Sequence, residues 1–515
     1  MCQLKLGHWM NWLQGFTGRG VVVVFCALLG ACSSKAPRAP EPVRTVILQA
    51  AQLPLPLPRS NFCAGLDSTL RSPVMQGAVT SLVVREAGSG KLVCEYNAQS
   101  RLVPASSLKL VTTAAAMDVL GADFRFSTTV LTTGVQQGGL LVGDLYLRGS
   151  GDPSMRQEDY QALAADLARK GITRVRGRLI LDDTAFDRQR LGLDWDPADE
   201  QQYFAAQISA LSVSPNADFD AGSILVNVRA AGVRQPPRVS FTPENRYMSL
   251  ANGATTGRGG PLVVSRASGG NLLRINGALP KGAERVIQLS VWEPTGLVAD
   301  VFRTALLQRG IVVEGGSVLG LATPPQARPL VEHQSPVLAD LMAPLLKLSN
   351  NNMAEVLLKA MGRKTANAGT AVAGAAAVSG FLQRQGVSPA GLQQFDGSGL
   401  SRRNQISART LSDLLLAVRN RPWFNAWYAA LPVAGNSERM VGGTMRKRLR
   451  GTAAANNVHA KTGSMRGVSS LAGYVTSATG QPLVFAMLTN NYRVGGWAIK
   501  DIENQVVTAL ANKTD

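Results

Sequence analysis

Three short motifs follow one another in a fixed order, with a long gap between residues 109 and 349. In chain order they are Ser106-Ser107-Leu108-Lys109, Ser349-Asn350-Asn351 and Lys461-Thr462-Gly463. Together they contain a serine nucleophile, a lysine base three residues later, a polar bridge and a second lysine beside a glycine. Each motif alone is short enough to occur by chance in a chain of this length, but the ordered set of three is specific. A fold that uses all three must bring distant parts of the chain into one site.

The first motif predicts an activated serine. Ser106 and Lys109 are three residues apart, so on a helix they lie on one face about one turn apart. A serine hydroxyl is a weak nucleophile until a base takes its proton. A lysine can be that base if burial and a neighbouring cation, here Lys461, lower its pKa from about 10.4. The alternative is that Ser106 caps a helix and Lys109 is solvated.

The second motif supplies polar groups between the base and a substrate. Ser349 is expected to pass a proton between Lys109 and a leaving amine. Asn351 is expected to hydrogen-bond both a substrate carbonyl and the base. The alternative is a polar cap before a helix over residues 353–361, because serine and asparagine favour such positions.

The third motif precedes a β-type run and predicts a strand edge. Lys461 and Thr462 would bind the terminal carboxylate of a substrate, whereas a solvated lysine beside a turn glycine is the alternative. Gly463 lacks a Cβ and lets another backbone approach closely. The N–H groups of Ser106 and Ser464 would then form an oxyanion hole.

The N-terminus is typical of an exported protein. Lys5 and Arg19 precede an apolar run from residue 21 to residue 29, which is short for a membrane span. Leu29-Gly30-Ala31-Cys32 resembles the bacterial lipobox, which implies that Cys32 is lipidated; a cleaved signal peptide and an uncleaved anchor are the alternatives. We expect a lipoprotein signal peptide over 1–31 and a proline-rich linker over 32–60.

The charge and composition of the chain indicate which classes of partner it can be expected to bind. Residues 1–31 hold two basic and no acidic residues, so their removal lowers the formal net charge from +19 to +17. A basic exported chain suits anionic wall polymer or lipid headgroups. No basic run is interleaved with aromatic residues, so nucleic acid is not an expected partner. Beyond residue 32 the only histidines are His333 and His459, so no metal or cofactor is expected. Cys63 and Cys94 can form a disulfide or remain two thiols.

The predicted elements indicate one domain that is built from two separate pieces of the chain, with an insertion between them. The outer parts contain helices, strand hairpins and a buried helix that begins near residue 104. Between them, β-type runs alternate with turns and one helix over 159–170. Strands at both ends imply a mixed α/β domain in two pieces, 61–126 and 335–515, around inserted domains over 127–334.

The ordered motifs resemble those of the penicillin-recognising serine enzymes. The stretches 396–402 (DGSGLSR) and 459–464 (HAKTGS) resemble signatures of the D-alanyl-D-alanine carboxypeptidase/endopeptidases, the class C low-molecular-mass penicillin-binding proteins. That family has a large insertion between its first and second motifs. The resemblance implies a β-lactamase/transpeptidase-like domain, with an antiparallel sheet flanked by helices plus an all-helical subdomain. A β-rich insertion of one or two domains interrupts it.

The same resemblance implies a periplasmic serine D,D-peptidase that acts on peptidoglycan stem peptides and binds β-lactams. Ser106 would be acylated, with Lys109 as general base. Arg402, Asp199 and Phe204 match positions that read a diaminopimelate side chain, although ordinary loop packing is the alternative for the last two. Arg466 stands where some relatives have glutamine, which leaves the preferred peptide open.

Two other functions fit part of the pattern. A β-lactamase or esterase of the same fold would use the same nucleophile, but a small antibiotic needs no long insertion. A non-catalytic wall-binding lipoprotein would need neither the nucleophile nor the lysines.

Overall fold

The computed structural model describes residues 61–514. The predicted signal peptide, the predicted lipidation site Cys32 and the predicted linker over 32–60 therefore lie outside the described residues. Within the described part, no helix combines the length and the apolar character that a membrane crossing requires.

The described residues form helices and short strands in alternating groups. The helices are α1 (Asn61–Leu70), α2 (Lys109–Val119), α3 (Gln157–Arg169), α4 (Pro294–Gln308), α5 (Leu338–Leu348), α6 (Asn351–Ala366), α7 (Ala371–Arg384), α8 (Ala408–Ala417), α9 (Phe424–Ala429), α10 (Arg439–Gly442) and α11 (Gly496–Ala511). The strands are β1 (Val79–Glu86), β2 (Leu92–Tyr96), β3 (Arg101–Leu102), β4 (Ser127–Thr132), β5 (Val135–Gln137), β6 (Leu140–Val142), β7 (Leu145–Gly149), β8 (Arg174–Arg176), β9 (Leu179–Asp182), β10 (Ser223–Arg229), β11 (Arg238–Thr242), β12 (Ser249–Asn252), β13 (Thr255–Thr256), β14 (Val263–Arg266), β15 (Leu272–Asn276), β16 (Ala278–Leu279), β17 (Glu284–Ser290), β18 (Val312–Val313), β19 (Ser317–Leu319), β20 (Arg328–Gln334), β21 (Leu392–Gln393), β22 (Gln405–Ser407), β23 (His459–Met465), β24 (Val468–Thr476) and β25 (Pro482–Asn490).

One antiparallel sheet joins the two ends of the described chain. Its strand order is β2-β1-β25-β24-β23, so two strands come from before the predicted insertion and three from near the C-terminus. Val79 lies opposite Asn490, and Glu86 lies opposite Leu483. This pairing agrees with the predicted mixed α/β fold class, and β23 with the third motif lies on an edge of the sheet.

Helices cover both faces of this sheet. On one face, α8 packs on β1 and β25, with α2 behind it against α5, α6 and α7. On the other face, α11 packs on β24 and α1 packs on α11. Leu110, Val111 and Ala114 of α2 are fully buried, because this helix is apolar on two sides and lies in the middle of the helical part.

The start of the buried helix differs from the prediction. Residues Ala105–Leu108 form a 3₁₀ turn, and the α-helix begins at Lys109. Ala105 has a left-handed backbone with φ 46°. A Cβ on Gly399 would lie 1.9 Å from Ala105 O, so the 396–402 loop presses against this turn and only glycine fits there.

The residues between 127 and 334 form several sheets. The larger two have the orders β19-β9-β7-β4-β20 and β18-β8-β6-β5, and smaller ones are built from β10 to β17. Ser127 lies opposite Gln334, so the chain enters and leaves this region at adjacent points. The division into domains at 127 and 334 stays a prediction.

Two of the β-type runs between residues 127 and 334 are each divided into two strands at a glycine. Gly143, which has φ 135°, separates β6 from β7, and Gly177 separates β8 from β9. Each half pairs in parallel with its counterpart, but in a different sheet: β6 with β8, and β7 with β9. A Cβ on Gly177 would lie 2.2 Å from Gly143 O, so the two bends are in contact.

A disulfide joins Cys63 of α1 to Cys94 of β2. The sequence left this pairing open, and the fold places the two Cα atoms 5.1 Å apart. The cross-link holds the first helix against the edge strand of the central sheet.

We predict that the double variant Cys63→Ser, Cys94→Ser unfolds at a lower temperature than the wild type. Closing a loop with a sequence separation of 31 residues stabilises a fold by about 3–4 kcal/mol. Thermal unfolding of both proteins, with and without reductant, measures the effect. A double variant that unfolds at the wild-type temperature would contradict it.

Candidate active site

Lys109, the predicted base, is buried where the three motifs meet. Its Nζ lies 3.0 Å from Ser106 Oγ, 2.6 Å from Asn351 Oδ1 and 2.7 Å from the carbonyl oxygen of Ser398. A neutral amine has two hydrogens and one lone pair. The two carbonyl oxygens accept both hydrogens, so the lone pair is left for the Ser106 hydroxyl. The solvated-lysine alternative is therefore wrong, because Lys109 has no exposed surface.

Burial gives Lys109 the pKa of a base that works near neutral pH. Desolvation lowers its pKa to about 7, although the carboxylates of Glu355 and Asp396 oppose the shift. The second cation, Lys461, is not among the causes of this shift, and the repulsion between the two lysines lowers the pKa of Lys461 instead. Lys461 is fully buried, and its pKa is held well below the usual range by desolvation and by the charge of Lys109.

The second lysine is bonded to the second motif. Lys461 Nζ lies 2.8 Å from Ser349 Oγ and 2.8 Å from its neighbour's carbonyl oxygen, Thr462 O. Among the hydrogen bonds of residues 61–514, none joins Ser349 directly to Lys109. Ser349 has a left-handed backbone, φ 65°, at the end of α5, which turns its hydroxyl out of the helix and toward β23.

The capping alternative holds for one residue of the second motif only. Asn350 caps α6 by accepting a hydrogen bond from Met353 N at 2.9 Å. Its amide also donates to Asp220 Oδ1 at 3.0 Å. Asn351 instead directs its side chain at Lys109, and its Nδ2 donates to Phe204 O at 2.8 Å. The polar cluster therefore caps a helix and builds the site at once.

Gly463 brings the third motif against the nucleophile. A Cβ at this position would lie 2.9 Å from Ser106 N and 2.5 Å from Pro104 O. A side chain would push β23 away from the serine, so glycine is required for this approach. The N–H groups of Ser106 and Ser464 as an oxyanion hole stay a prediction.

A buried carboxylate that the sequence analysis did not single out holds the base in place. Glu355 lies one turn after Asn351 on α6 and is 1% exposed. Its carboxylate accepts hydrogen bonds from Gly397 N at 2.9 Å and Ser398 N at 2.8 Å. Because Ser398 O accepts from Lys109, Glu355 fixes the carbonyl that orients the base. An acid at spacing i+4 from Asn351 was the available signal.

The 396–402 loop is tied to the insertion. Asp396 accepts hydrogen bonds from Gly399 N and Ser401 N within its own loop. It also accepts one from Trp195 Nε1 at 3.0 Å. Burial and the charge of Asp396 raise the pKa of Glu355 to about 7. The loop is thus a rigid, charged support behind the base.

A cleft of about 390 Å³ opens in front of the nucleophile. It is lined by Ser106, Ser349, Thr462 and Ser464, the predicted nucleophile, relay and substrate-binding residues. Its other lining residues include Thr444, Trp497 and several cations.

The three residues expected to read a substrate side chain lie outside this cleft. Phe204 contributes its carbonyl oxygen to Asn351 and so reaches the site. Arg402 is exposed and donates to Arg466 O at 2.8 Å, just beyond the end of β23. Asp199 lies in the turn before Phe204, and its pKa is raised by burial and by Asp196. A direct contact of Arg402 or Asp199 with the motifs is not seen in the described part.

We predict that acylation of Ser106 by a penicillin speeds up as pH rises through about 7, because Lys109 must be neutral to take a proton. Glu355→Gln should move this rise to lower pH, since the negative charge that raises the Lys109 pKa is removed. The plateau rate should fall about tenfold, because the loop loses one of its two buried acceptors. Stopped-flow acylation across pH measures both effects.

The matched control is Glu332→Gln, which removes the same charge from an exposed position on β20. It should keep the wild-type midpoint and plateau. A Glu355→Gln profile that coincides with the wild type would overturn the positioning role.

Comparisons with known proteins agree with this geometry. The D-Ala-D-Ala carboxypeptidase 3 (S13) family model matches residues 63–513. A D-alanyl-D-alanine carboxypeptidase of an Actinomadura species is 42% identical over 452 residues, which cover 87% of this chain and 84% of that protein. The carboxypeptidase DacB of Haemophilus influenzae is 29% identical over 83% of this chain and 88% of its own length.

A solved structure shares the fold. The crystal structure of penicillin binding protein 4 (dacB) from Haemophilus influenzae superposes with a TM-score of 0.76 at 25% identity. The superposition covers 88% of this chain and 100% of the Haemophilus influenzae chain. The predicted fold class and the predicted serine D,D-peptidase are confirmed, and the chain belongs to the D-Ala-D-Ala carboxypeptidase 3 (S13) family.

Proposed function

We propose that this enzyme cleaves the peptide bond after the penultimate D-alanine of peptidoglycan stem peptides through an acyl-enzyme on Ser106. One observation carries the proposal. The Lys109 side chain is fully buried, its pKa is lowered to about 7, and its Nζ lies 3.0 Å from Ser106 Oγ, with the lone pair left for that hydroxyl. A histidine is not needed for this chemistry, and none is in contact with Ser106 in the described residues.

In the first step, Ser106 Oγ attacks the substrate carbonyl carbon and its proton passes to Lys109. A C–O bond forms, and the carbonyl oxygen becomes an oxyanion between the N–H groups of Ser106 and Ser464. Each such donor is typically worth about 3 kcal/mol in the transition state. The close approach at Gly463 supports this placement of the two N–H groups.

In the second step, the C–N bond breaks and the leaving amine takes a proton. Ser349 is the proposed donor, and Lys109 gives Ser349 the proton that it took from Ser106, so Lys109 is neutral again. The 2.8 Å contact with Lys461 Nζ holds the Ser349 hydroxyl for this relay. A water molecule then attacks the ester and gives a proton to Lys109, the C–O bond to Ser106 breaks, and Lys109 returns this proton to Ser106 Oγ.

Substrate positioning is assigned to both sides of the serine. Asn351 would hold the substrate carbonyl, and Lys461 with Thr462 would bind the carboxylate next to the scissile bond. Arg402, Asp199 and Phe204 are proposed to read the side chain of the preceding residue. The bond from Asn351 to Phe204 O supports Phe204 as a neighbour of the substrate.

We predict that fluorescent penicillin labels the wild type covalently and that Ser106→Ala abolishes labelling. Removal of the nucleophile leaves no group able to form the ester. Gel fluorescence and intact mass measure the adduct, and hydrolysis of a D-Ala-D-Ala peptide should be lost in parallel.

The matched control is Ser107→Ala, since Ser107 Oγ is turned away to Ser470 Oγ at 2.8 Å. This variant should still be labelled. Labelling that survives in Ser106→Ala would exclude Ser106 as the nucleophile. A penicillin adduct released within seconds would favour the β-lactamase or esterase alternative.

Membership of a family of cell-wall peptidases supports a location outside the cytoplasmic membrane. We propose the finer placement that the protein lies in the periplasm and is anchored to the membrane through a lipid on Cys32. The small residues that precede this cysteine support the proposal. The basic body of the protein, at +17 without residues 1–31, fits a position beside anionic wall polymer.

We predict that Cys32→Ser moves the protein from the membrane fraction to the soluble fraction and prevents labelling by a radioactive fatty acid. Fractionation and autoradiography measure the two effects, with Cys26→Ser as the matched control within the signal region. Fatty-acid labelling that persists in Cys32→Ser would exclude this residue as the lipid site.

A further inference from the structure

One part of the insertion, residues 230–285, is strongly basic. It contains eight arginine and lysine residues and two acidic residues, a net charge of +6, against +19 for the whole chain. One of the two acids, Glu284, is already paired with Arg229 at 3.2 Å. A surface with one sign of charge attracts ligands of the opposite sign. This segment is therefore a candidate surface for an anion, and none of the proposed catalytic steps involves it.

Two adjoining hollows lie on this segment, with volumes of about 590 and 560 Å³. The cations that line them are Arg258 and Arg285 in the first hollow, and Arg234, Arg258 and Lys281 in the second. Among the described residues of the two linings, none is acidic and none also lines the catalytic cleft. Because the hollows meet at Arg258, we call the two together the basic groove.

The four cations of the basic groove carry uncompensated charge. Arg234, Arg258, Lys281 and Arg285 are all exposed, and within residues 61–514 none of them forms an ion pair. Arg285 donates a hydrogen bond to the carbonyl oxygen of its neighbour Glu284 at 3.1 Å, which does not neutralise it. Three of the four are arginines, whose planar guanidinium groups bind phosphate oxygens in pairs. The groove therefore offers several charged donors to one ligand.

Backbone hydrogen bonds hold the segments that carry these cations. The loop 257–260 is joined to β16 at both ends by hydrogen bonds of 2.9 Å, one from Gly257 N and one to Gly260 O. Arg234 N donates to Thr256 O of β13 at 2.8 Å. Three of the four loop residues are glycine, so one arginine side chain projects from this loop by itself. The cations are thus placed on a fixed framework, which lowers the entropy lost when a ligand binds.

The shape and the composition of the basic groove favour a chain-like ligand over a membrane surface. Two hollows in series suit a polymer that carries anionic groups at intervals, because each hollow can take one group. Protein surfaces that enter a membrane interface normally present exposed aromatic residues beside their cations. The exposed large apolar residues described in 230–285 are Val233, Leu250 and Val263, and none is aromatic.

We propose that the basic groove binds a linear polymer with repeating phosphate groups, and so holds the enzyme beside an anionic polymer of the cell surface. The inference does not depend on Ser106 or on the proposed reaction, because no residue of the groove belongs to the catalytic machinery. Cations that bind a polyanion displace its counterions, so the affinity should fall steeply as salt is added.

The test measures binding of the full chain to fluorescently labelled linear polyphosphate by anisotropy at low salt. The fourfold variant Arg234→Gln, Arg258→Gln, Lys281→Gln, Arg285→Gln should raise Kd more than about tenfold, since each exposed charge contributes about twofold. Added salt should raise the wild-type Kd more steeply than that of the variant, which displaces fewer counterions.

The matched control removes four exposed charges that line neither the groove nor the cleft: Arg101→Gln, Lys170→Gln, Arg309→Gln, Arg493→Gln. Because this variant has the same net charge as the groove variant, it should keep Kd within about twofold of the wild type. A groove variant that binds polyphosphate like the wild type, or a control that loses binding equally, would overturn the proposal.

Two further probes separate the polymer from other sources of phosphate. Inorganic phosphate should bind about a hundredfold more weakly than polyphosphate, because it occupies one position instead of several. Competition by inorganic phosphate at an equal concentration of phosphate groups would indicate a single-anion site and contradict the polymer. Vesicles of phosphatidylglycerol should sediment the wild type and the groove variant alike. A variant that loses vesicle binding as strongly as polyphosphate binding would assign the groove to lipid headgroups instead.

Thermal unfolding reports whether each variant is folded. Arg258→Gln removes the cation that both hollows share, and it tests the groove even if the fourfold variant does not fold. Its Kd for polyphosphate should exceed that of Lys170→Gln about twofold or more. Equal values for these two single variants would count against the groove.

Discussion

The site depends on how the two hydrogens of one buried amine are used. Lys109 is surrounded by two carbonyl oxygens, Asn351 Oδ1 and Ser398 O, and by the serine hydroxyl. Water would solvate a charged ammonium in preference to a neutral amine, so its exclusion is what brings the pKa to about 7. Both acceptors are themselves held in place, Asn351 by its bond to Phe204 O and Ser398 by the carboxylate of Glu355.

Three separate parts of the chain supply those neighbours, and the central sheet makes their meeting possible. The pairing of β1 with β25 closes the domain across the insertion. This places β23 at an open edge, where Gly463 allows contact with the serine. Glu355 completes the arrangement from behind by holding the N–H groups of Gly397 and Ser398.

The insertion contributes to the site and is more than an attached module. Phe204 O accepts from Asn351, Asp220 accepts from Asn350, and Trp195 donates to Asp396. Asn351 contacts Lys109 directly, Asn350 is its neighbour in the chain, and Asp396 lies in the same loop as Ser398, which also contacts Lys109. The insertion and the catalytic part therefore share one polar network, whose members strengthen one another where water is excluded.

The sequence alone determined the mixed α/β fold and the edge strand of the third motif, and it predicted Ser106 as the nucleophile and Lys109 as the base, because these depend on local spacing and on apolar periodicity. It identified α2 as buried on two faces for the same reason. The 3₁₀ turn at Ala105, the breaks at Gly143 and Gly177, the disulfide and the role of Glu355 were decided only by the tertiary structure. Each of these depends on an atom from a distant segment, such as Gly399 against Ala105 or Ser398 above Glu355. No local pattern records which distant group will fill that space or accept that hydrogen bond.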